Sequence, residues 1–260
     1  MKKLLLFGLS VVLATGCSSG DEKTKAVVSE PVYTLVFLDK TRSVDVNQAF
    51  VAGKYKQALS DIIDQNIRRK GDKLEIYYIH ENTSKARALS FTARTEMEDV
   101  SSASPTDREA AQTEFELMLK REKATIRQRA LQQLAEENEG ASNQSTDIWA
   151  SLPVITKASE TGATVKVYYL SDMLESVKAK PGSEELRRDF EVQPPQSNAQ
   201  ADDWAMADKE QLKRYAIGNP DITMILPFAP NASAKQNNPA VTQYWETLFT
   251  ELGAASIEER

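Results

Sequence analysis

The sequence predicts an α/β fold: a doubly wound, mostly parallel sheet with helices on both faces. Two observations favour this class. Short runs of apolar and β-branched residues recur along the chain without polar alternation, as in strands that are buried on both faces. Segments with helical spacing separate most of these runs, which is typical of parallel strands joined by crossover helices. The composition suits such a domain, since 41% of the 260 residues are hydrophobic and 27% are charged.

The first part of the chain alternates between strands and a helix. Val32–Leu38 (VYTLVFL) is a continuous apolar run and predicts a central strand. Gln48–Arg69 has apolar residues at near-helical spacing and predicts a helix. Beyond the turn at Gly71–Asp72, Lys73–His80 predicts a second strand, and Ala86–Thr92 follows it through a short turn as a predicted edge strand.

A helical insertion, about residues 96–144, follows the third strand. Thr106 and Glu109 have the spacing of a capping box, and apolar residues then recur at steps of four and seven. We therefore expect one amphipathic helix over Thr106–Glu139 that ends at Gly140. Its charged face suits a solvated surface, and the alternative is contact with a partner or dimerisation through its apolar stripe.

The second half of the chain continues the alternation. Ser145–Ala158 predicts a helix, Thr164–Leu170 (TVKVYYL) a fourth strand, and Gly182–Phe190 a short helix. The prolines within Gln193–Asp203 predict a loop. The remaining elements are a helix, a strand and a closing helix, at Lys209–Ile217, Ile222–Pro227 and Ala240–Leu252. Residues 31–260 are therefore expected to form a single domain.

Residues 1–16 have the pattern of a secretory signal peptide. Two lysines precede an apolar run of about 11 residues, which is too short to span a bilayer. The run ends in Leu13–Cys17 (LATGC), which resembles the lipobox of bacterial lipoproteins. The resemblance implies cleavage before Cys17 and a lipid on that residue, and Ser18 in place of aspartate implies sorting to the outer membrane. Residues 17–30 are polar and are expected to form a tether. An ordinary cleaved signal with an incidental cysteine is the alternative.

The charge and the rare residue types exclude several classes of function. The formal net charge of −6 does not suit a nucleic-acid footprint. One cysteine and one histidine exclude a disulfide framework, multi-cysteine clusters and the multi-histidine zinc signatures. The metal chemistry that remains is that of hard cations bound by carboxylate and hydroxyl oxygens.

Oxygen-bearing side chains follow two of the predicted strands. Asp39, Thr41 and Ser43 come directly after the first strand, and Asp172 follows the fourth. Thr146 stands at the start of the helix that precedes the fourth strand. Because the carboxyl ends of parallel strands meet at one edge of a sheet, these side chains are expected to lie close together.

This D-x-T-x-S pattern with a distant threonine and aspartate resembles the metal-ion-dependent adhesion site of the von Willebrand factor A family. The resemblance implies a Mg²⁺ ion, with Mn²⁺ or Ca²⁺ as alternatives, bound directly by Thr41, Ser43 and Thr146. Asp39 and Asp172 would act largely through water, and one position would stay open for an acidic side chain of a protein partner. The implied function is metal-dependent protein binding in the bacterial envelope, without enzymatic activity.

The sequence departs from the family pattern at three places. The family's glycine-rich approach to the threonine is replaced here by Ala141–Ser145 (ASNQS). Many family members have glycine after the last aspartate, where Met173 stands here. Lys40 and Arg42 bring two cations into the first motif. Strand alternation predicts that both point away from the site.

Two other functions stay open. Leu38–Thr41 (LDKT) also resembles the phosphorylated loop of haloacid-dehalogenase-type enzymes, which would make Asp39 the nucleophile of a phosphatase. That class needs a second acidic pair to hold Mg²⁺, and Asp202–Asp203, in the predicted proline-rich loop, is the available one. The other alternative is a structural envelope protein with the same fold and no metal.

Overall fold

The computed structural model describes residues 30–136, 145–177, 187–228 and 238–260. Within these ranges the strands are β1 (Val32–Asp39), β2 (Lys73–Ile79), β3 (Arg87–Thr92), β4 (Thr164–Leu170), β5 (Asp221–Ile225) and β6 (Ser256–Glu259). They form one sheet in the order β3-β2-β1-β4-β5-β6. The edge strand β3 is antiparallel to β2, and all other neighbours are parallel. The predicted fold class, a doubly wound and mostly parallel sheet, is confirmed.

Helices cover both faces of this sheet. The helices are α1 (Ala49–Asn66), α2 (Pro105–Ala135), α3 (Leu152–Ser159), α4 (Asn198–Leu212) and α5 (Pro239–Leu252). Alternate residues of β1 serve the two sides: Val36 and Leu38 pack in one core with α1 and α2, and Leu35 and Phe37 pack in the other with α3, α4 and α5. A strand with a core on each side has no solvated face, which explains its continuous apolar run.

The strands β1 and β4 are neighbours at the centre of the sheet although many residues separate them in the chain. From β1 the chain moves outward to β2 and β3, and from β4 it moves outward in the opposite direction to β5 and β6. This reversal is a topological switch point, where the loops at the carboxyl ends diverge and leave a crevice. Asp39, at the end of β1, and Asp172, just after β4, lie at this crevice.

Two helices begin at other positions than predicted. The sequence predicts a helix over 145–158, whereas a 3₁₀ turn at Trp149–Ser151 precedes α3 and residues 145–147 are irregular. Side chains of the loop after β4 bind the N–H groups of this stretch, so it has no need of helical hydrogen bonds. The helix α4 begins inside the predicted loop, because the Ser197 hydroxyl accepts a hydrogen bond from the Gln200 N–H (3.2 Å) and caps it.

The short strand β6 is missing from the prediction. Its sequence, SIEE, has a single apolar residue, and only its pairing with β5 makes it a strand. An edge strand is solvated along one side and so carries a weak hydrophobic signal.

Several predictions fall partly or wholly outside the described residues. They are the signal peptide over 1–16, most of the tether over 17–30 with its anchor Cys17, and the predicted helix end at Gly140. Within the described residues, α2 is a continuous helix that ends at Ala135. Of the predicted short helix over 182–190, the described part is not helical, and Asp189 forms an antiparallel bridge with Ser176. Among the helices within the described ranges, none combines the length and the hydrophobicity that crossing a membrane requires.

Candidate functional site

Asp39 is the last residue of β1, and its carboxylate joins the loops after β1 and β4. It is completely buried. Its Oδ1 accepts hydrogen bonds from the backbone N–H (2.8 Å) and the hydroxyl (2.6 Å) of Thr41. Its Oδ2 accepts one from the Ser171 hydroxyl (2.6 Å), on the other loop. The carboxylate is therefore held by three donors from two loops that are 132 positions apart in the chain.

Ser43 and Asp172 extend this network. The Thr41 and Ser43 hydroxyl oxygens lie 3.1 Å apart, and the Ser43 hydroxyl also hydrogen-bonds the Asp172 carboxyl group. The Leu174 N–H donates to Asp172 Oδ1 (3.2 Å). Four of the five predicted site residues thus belong to one hydrogen-bonded group at the carboxyl edge of the sheet.

Thr146, the fifth predicted residue, is tied to the same loop through its backbone. Its N–H donates to the Ser176 hydroxyl (2.9 Å), and its carbonyl accepts a hydrogen bond from the Ser176 N–H (2.9 Å). The prediction that it opens a helix is wrong, because it lies in the irregular stretch before the 3₁₀ turn. Its side chain is completely buried, and the hydroxyl oxygen has no hydrogen-bond partner among the described residues.

A buried ion-pair group, which sequence inspection missed, supports this stretch. Glu175 Oε2 accepts a hydrogen bond from the Ile148 N–H (2.7 Å), and Arg187 donates to Glu175 Oε1 (2.8 Å) and to Asp147 Oδ1 (2.6 Å). The guanidinium also lies over the Trp149 ring, 4.7 Å from its centroid. No local pattern could identify these partners, since the pairing residues lie up to 40 positions apart.

Met173, which directly follows Asp172, has a backbone conformation that glycine adopts more readily than other residues. Its φ is +61°, in the left-handed region that favours glycine, yet its side chain is completely buried. The Met173 carbonyl accepts a hydrogen bond from the Trp245 indole N–H (2.8 Å), which holds this turn against α5. The tight turn is therefore kept, and tertiary packing offsets its strain.

Lys40 points away from the carboxylates, as predicted. Its ammonium donates hydrogen bonds to the carbonyls of Gln133 (2.7 Å) and Glu136, at the C-terminal end of α2, and it lies over the Tyr78 ring, 4.0 Å from the centroid. Burial lowers the pKa of Lys40 to about 8. Arg42 is exposed to solvent. Neither cation occupies the space between Asp39 and Asp172.

The electrostatics of the site suit a bound cation. Burial raises the pKa of Asp39, and burial together with the charge of Asp39 raises the pKa of Asp172. Within the described residues no group of three or more Asp, Glu, His or Cys side chains could hold a metal ion. A metal here would therefore need the hydroxyl oxygens of Thr41, Ser43 and Thr146 in addition to the two carboxylates. An all-oxygen donor set of this kind fits Mg²⁺, Mn²⁺ or Ca²⁺.

The acidic pair that the phosphatase interpretation requires lies elsewhere. Asp202 and Asp203 are in α4, not in a loop. Asp202 accepts hydrogen bonds from the side chains of Gln243 (2.9 Å) and Thr247 (2.5 Å) on α5. These contacts join two helices and involve neither carboxylate of the crevice.

No protein-family model matches the sequence, and no curated protein matches it. Among solved structures, a von Willebrand factor type A protein from Catenulispora acidiphila is 13% identical over 89% of this chain and 39% of its own, with a TM-score of 0.38. The pilus adhesin SpaC from Lactobacillus rhamnosus GG is 10% identical over 90% of this chain and 28% of its own, with a TM-score of 0.38. The manganese-loaded TRAP protein of Plasmodium vivax is 13% identical over 84% of this chain and 74% of its own, with a TM-score of 0.31.

The chain spans less than half the length of the first two of these structures. Because all three TM-scores are low, the fold class rests on the strand order and strand directions of this chain. The fold and the site together define an α/β domain with a buried cluster of carboxylates and hydroxyls at the switch point of its sheet.

Proposed function

We propose that this protein is a von Willebrand factor A-like binding module that uses a divalent metal ion to hold an acidic group of a protein partner. Thr41, Ser43 and Thr146 would bind the ion directly, and Asp39 and Asp172 would act mainly through water. The ion would supply the electrostatic attraction for the partner's carboxylate, and no bond would be made or broken. The protein is therefore proposed to be a binding protein and not an enzyme.

The observation that carries this proposal is the Thr146 hydroxyl. A buried hydroxyl without a hydrogen-bond partner destabilises a fold by about 1–3 kcal/mol. This one belongs to the stretch that Ser176 and Glu175 hold against the loop after β4, the loop that also contains Asp172. A metal ion in the crevice would give the hydroxyl oxygen a partner.

The two carboxylates support the same interpretation. In the absence of a cation, burial and mutual repulsion oppose the ionised forms of Asp39 and Asp172. A divalent ion would favour both ionised forms, and the hydrogen bonds from Thr41, Ser171 and Ser43 already fix the carboxylate oxygens in place.

The sharpest test replaces Thr146 by valine, which has nearly the same shape and lacks the hydroxyl. We expect the stability of the metal-free protein to stay the same or to rise by about 1 kcal/mol, because the variant loses a buried hydroxyl that no described residue pairs with. We expect the affinity for Mg²⁺ to fall by at least about tenfold, because a metal ligand is lost. The melting temperature without metal measures the change in stability. Its increase with Mg²⁺ or Mn²⁺ concentration measures the change in affinity.

Thr34→Val is the matched control. The Thr34 hydroxyl is also buried and has no hydrogen-bond partner in the described part of the chain, but it lies within β1 and away from the crevice. This variant should gain a similar stability and keep the full response to Mg²⁺. If the parent protein shows no Mg²⁺ or Mn²⁺ response, or if both variants lose it equally, the proposed metal site is wrong.

Partner binding is tested by affinity capture with and without EDTA. We expect proteins that are retained with Mg²⁺ to be lost with EDTA and with the Thr146→Val protein, and to be kept with Thr34→Val.

Cys17 is proposed to anchor the chain in the bacterial outer membrane. Mass spectrometry of the protein purified from membranes should find lipid on an N-terminal Cys17.

The phosphatase alternative makes different predictions. It requires turnover of a generic phosphate ester and a covalent phosphate mimic on Asp39. The position of Asp202 and Asp203 in α4, where Asp202 is bound by side chains of α5, does not favour it. The metal-free structural alternative predicts that Mg²⁺ and EDTA leave both the melting temperature and the captured partners unchanged.

A further inference from the structure

A polar cavity of about 210 Å³ lies apart from the proposed metal site. It opens on the side of the sheet that carries α3, above the part formed by β2 and β3. Pro153, Val154 and Lys157 of α3 border one side. Its polar lining comes from β1, β2 and β3 and from the turn between β2 and β3, and it includes no residue of the proposed metal site.

Glu75 lies at the base of this cavity, and its carboxylate has no acceptor capacity left. Lys73 (3.0 Å), Arg87 (3.1 Å) and the Ser90 hydroxyl (3.0 Å) contact Oε1. The hydroxyls of Tyr33 (2.8 Å) and Tyr77 (3.0 Å) donate to Oε2.

Five donors on two carboxylate oxygens saturate the roughly four lone-pair directions that a carboxylate offers. Burial raises the pKa of Glu75, but hydrogen bonds from Lys73 and Tyr33 and the charge of Lys73 outweigh burial and hold the pKa below its usual range. The group is therefore ionised, and it fixes two cations at the cavity wall.

The cavity has donors in excess. Arg87 uses few of its five N–H groups on Glu75, and its side chain is 55% exposed. Lys73 donates to Glu75 and to the Tyr33 hydroxyl (2.7 Å), which leaves one of its three N–H groups. The Lys157 ammonium and the Ser84 hydroxyl have no hydrogen-bond or ion-pair partner among the described residues. The lining thus carries three cations against one carboxylate that is already saturated.

We infer that this cavity binds a small oxyanion, a carboxylate or a phosphate group, between Arg87, Lys73 and Lys157. A ligand that supplies acceptors fits here, because the charged groups with unused hydrogen-bonding capacity, on Arg87, Lys73 and Lys157, are all donors. A guanidinium and two ammonium groups suit carboxylate and phosphate oxygens. The cavity volume corresponds to about seven water molecules, which is enough space for such a group. The cavity is smaller than most pockets that bind drug-sized molecules. The inference does not depend on the proposed metal site.

Calorimetric titration of the full chain with inorganic phosphate, and separately with acetate, tests this site. The protein is first treated with EDTA, which is then removed, so that neither bound metal nor the chelator's own carboxylates interfere. About 0.15 M salt in the buffer screens non-specific attraction. We expect saturable binding of at least one anion. Tighter binding of phosphate would identify a phosphate group as the ligand, and tighter binding of acetate would identify a carboxylate.

Lys157→Gln should weaken this binding by roughly tenfold, the effect of losing one charge-assisted hydrogen bond. Lys56→Gln is the matched control: it makes the same change at an exposed position of α1, on the opposite side of the sheet, and should leave the affinity within about twofold.

Absence of saturable binding for both anions would overturn the site, as would equal weakening by Lys157→Gln and Lys56→Gln. Thr146→Val should not change anion binding. Failure of the anion site and failure of the metal site are therefore separate outcomes.

Discussion

Lys40 is the residue that joins the site to the long helix α2. It directly follows Asp39, but its ammonium binds the last carbonyls of α2, at Gln133 and Glu136. The four terminal carbonyls of a helix have no partner within the helix, so a buried cation at this end is stabilising. A residue inside the proposed metal-binding motif therefore has a structural role.

Replacing Lys40 by methionine keeps much of the apolar stem and removes the two hydrogen bonds. We expect the free energy of unfolding to fall by about 1–3 kcal/mol, measured by urea denaturation. The Mg²⁺ response should be retained, because the ammonium does not face the carboxylates. Arg42→Met, at an exposed position, is the control and should change stability by less than about 0.5 kcal/mol. A stronger Mg²⁺ response in Lys40→Met would mean that Lys40 competes with the metal.

Met173 allows a test of backbone strain. Alanine is normally better tolerated than glycine, but at φ +61° a side chain costs about 1–2 kcal/mol. Met173→Gly and Met173→Ala both lose the buried methionine side chain. The difference between their free energies of unfolding therefore measures the cost of a Cβ atom at this backbone geometry. We expect the glycine variant to be more stable than the alanine variant by about 1 kcal/mol. An alanine variant that is equally or more stable would contradict the left-handed geometry.

The helix α2 is packed along only part of its length. Ile126, Ala130 and Leu134, in its C-terminal half, are buried against α1 and the sheet, whereas Leu117 and Met118 are about half exposed. Its 31 residues correspond to about 46 Å. The regular apolar spacing predicted one helix, but that spacing alone does not distinguish the packed half from the solvated half.

Two alanine substitutions in α2 should therefore differ strongly. Ile126→Ala removes a completely buried side chain and should lower the free energy of unfolding by about 2–5 kcal/mol. Leu117→Ala, at a position that is 52% exposed, should change it by less than about 0.5 kcal/mol. Urea denaturation measures both, and similar losses in the two variants would show that the exposed half is packed in solution.

The elements that the sequence predicted well are those with a strong local signal. Val32–Leu38 and Thr164–Leu170 are continuous apolar runs, and both became central strands of the sheet. The prediction of a helix around Thr146 is wrong. This stretch is irregular because its hydrogen bonds go to Ser176 and Glu175, about 30 positions away. No local pattern contains those partners.

For the whole molecule, the balance between folded and unfolded states should depend on both pH and metal. In the folded chain without metal, the pKa values of Asp39 and Asp172 lie above the ordinary value of about 3.9. As the pH rises above that value, the folded state binds more protons than the unfolded state, so the free energy of unfolding falls. A bound divalent ion favours the ionised carboxylates and should offset this loss.

The increase in melting temperature caused by Mg²⁺ should therefore grow between about pH 5 and about pH 8. Thermal unfolding with Mg²⁺ and with EDTA across this range measures it. Asp172→Asn removes one of the two titrating groups and should flatten the pH dependence of the metal-free protein. A Mg²⁺ effect that is constant with pH would show that these carboxyl groups do not take part in binding.

The sequence by itself determined the fold class and the five candidate site residues. Apolar runs, helical spacing and polar residues at strand ends are local signals, and the edge of a parallel sheet brings such ends together. Only the tertiary structure decided how those residues are arranged: that Ser171 binds Asp39, that Lys40 turns toward α2, and that the Thr146 hydroxyl is buried with no partner within the described ranges. It also gathered the donors around Glu75 from three strands. These arrangements depend on contacts between distant segments, which hydrophobic pattern does not encode and which form only when the sheet and both helical layers pack.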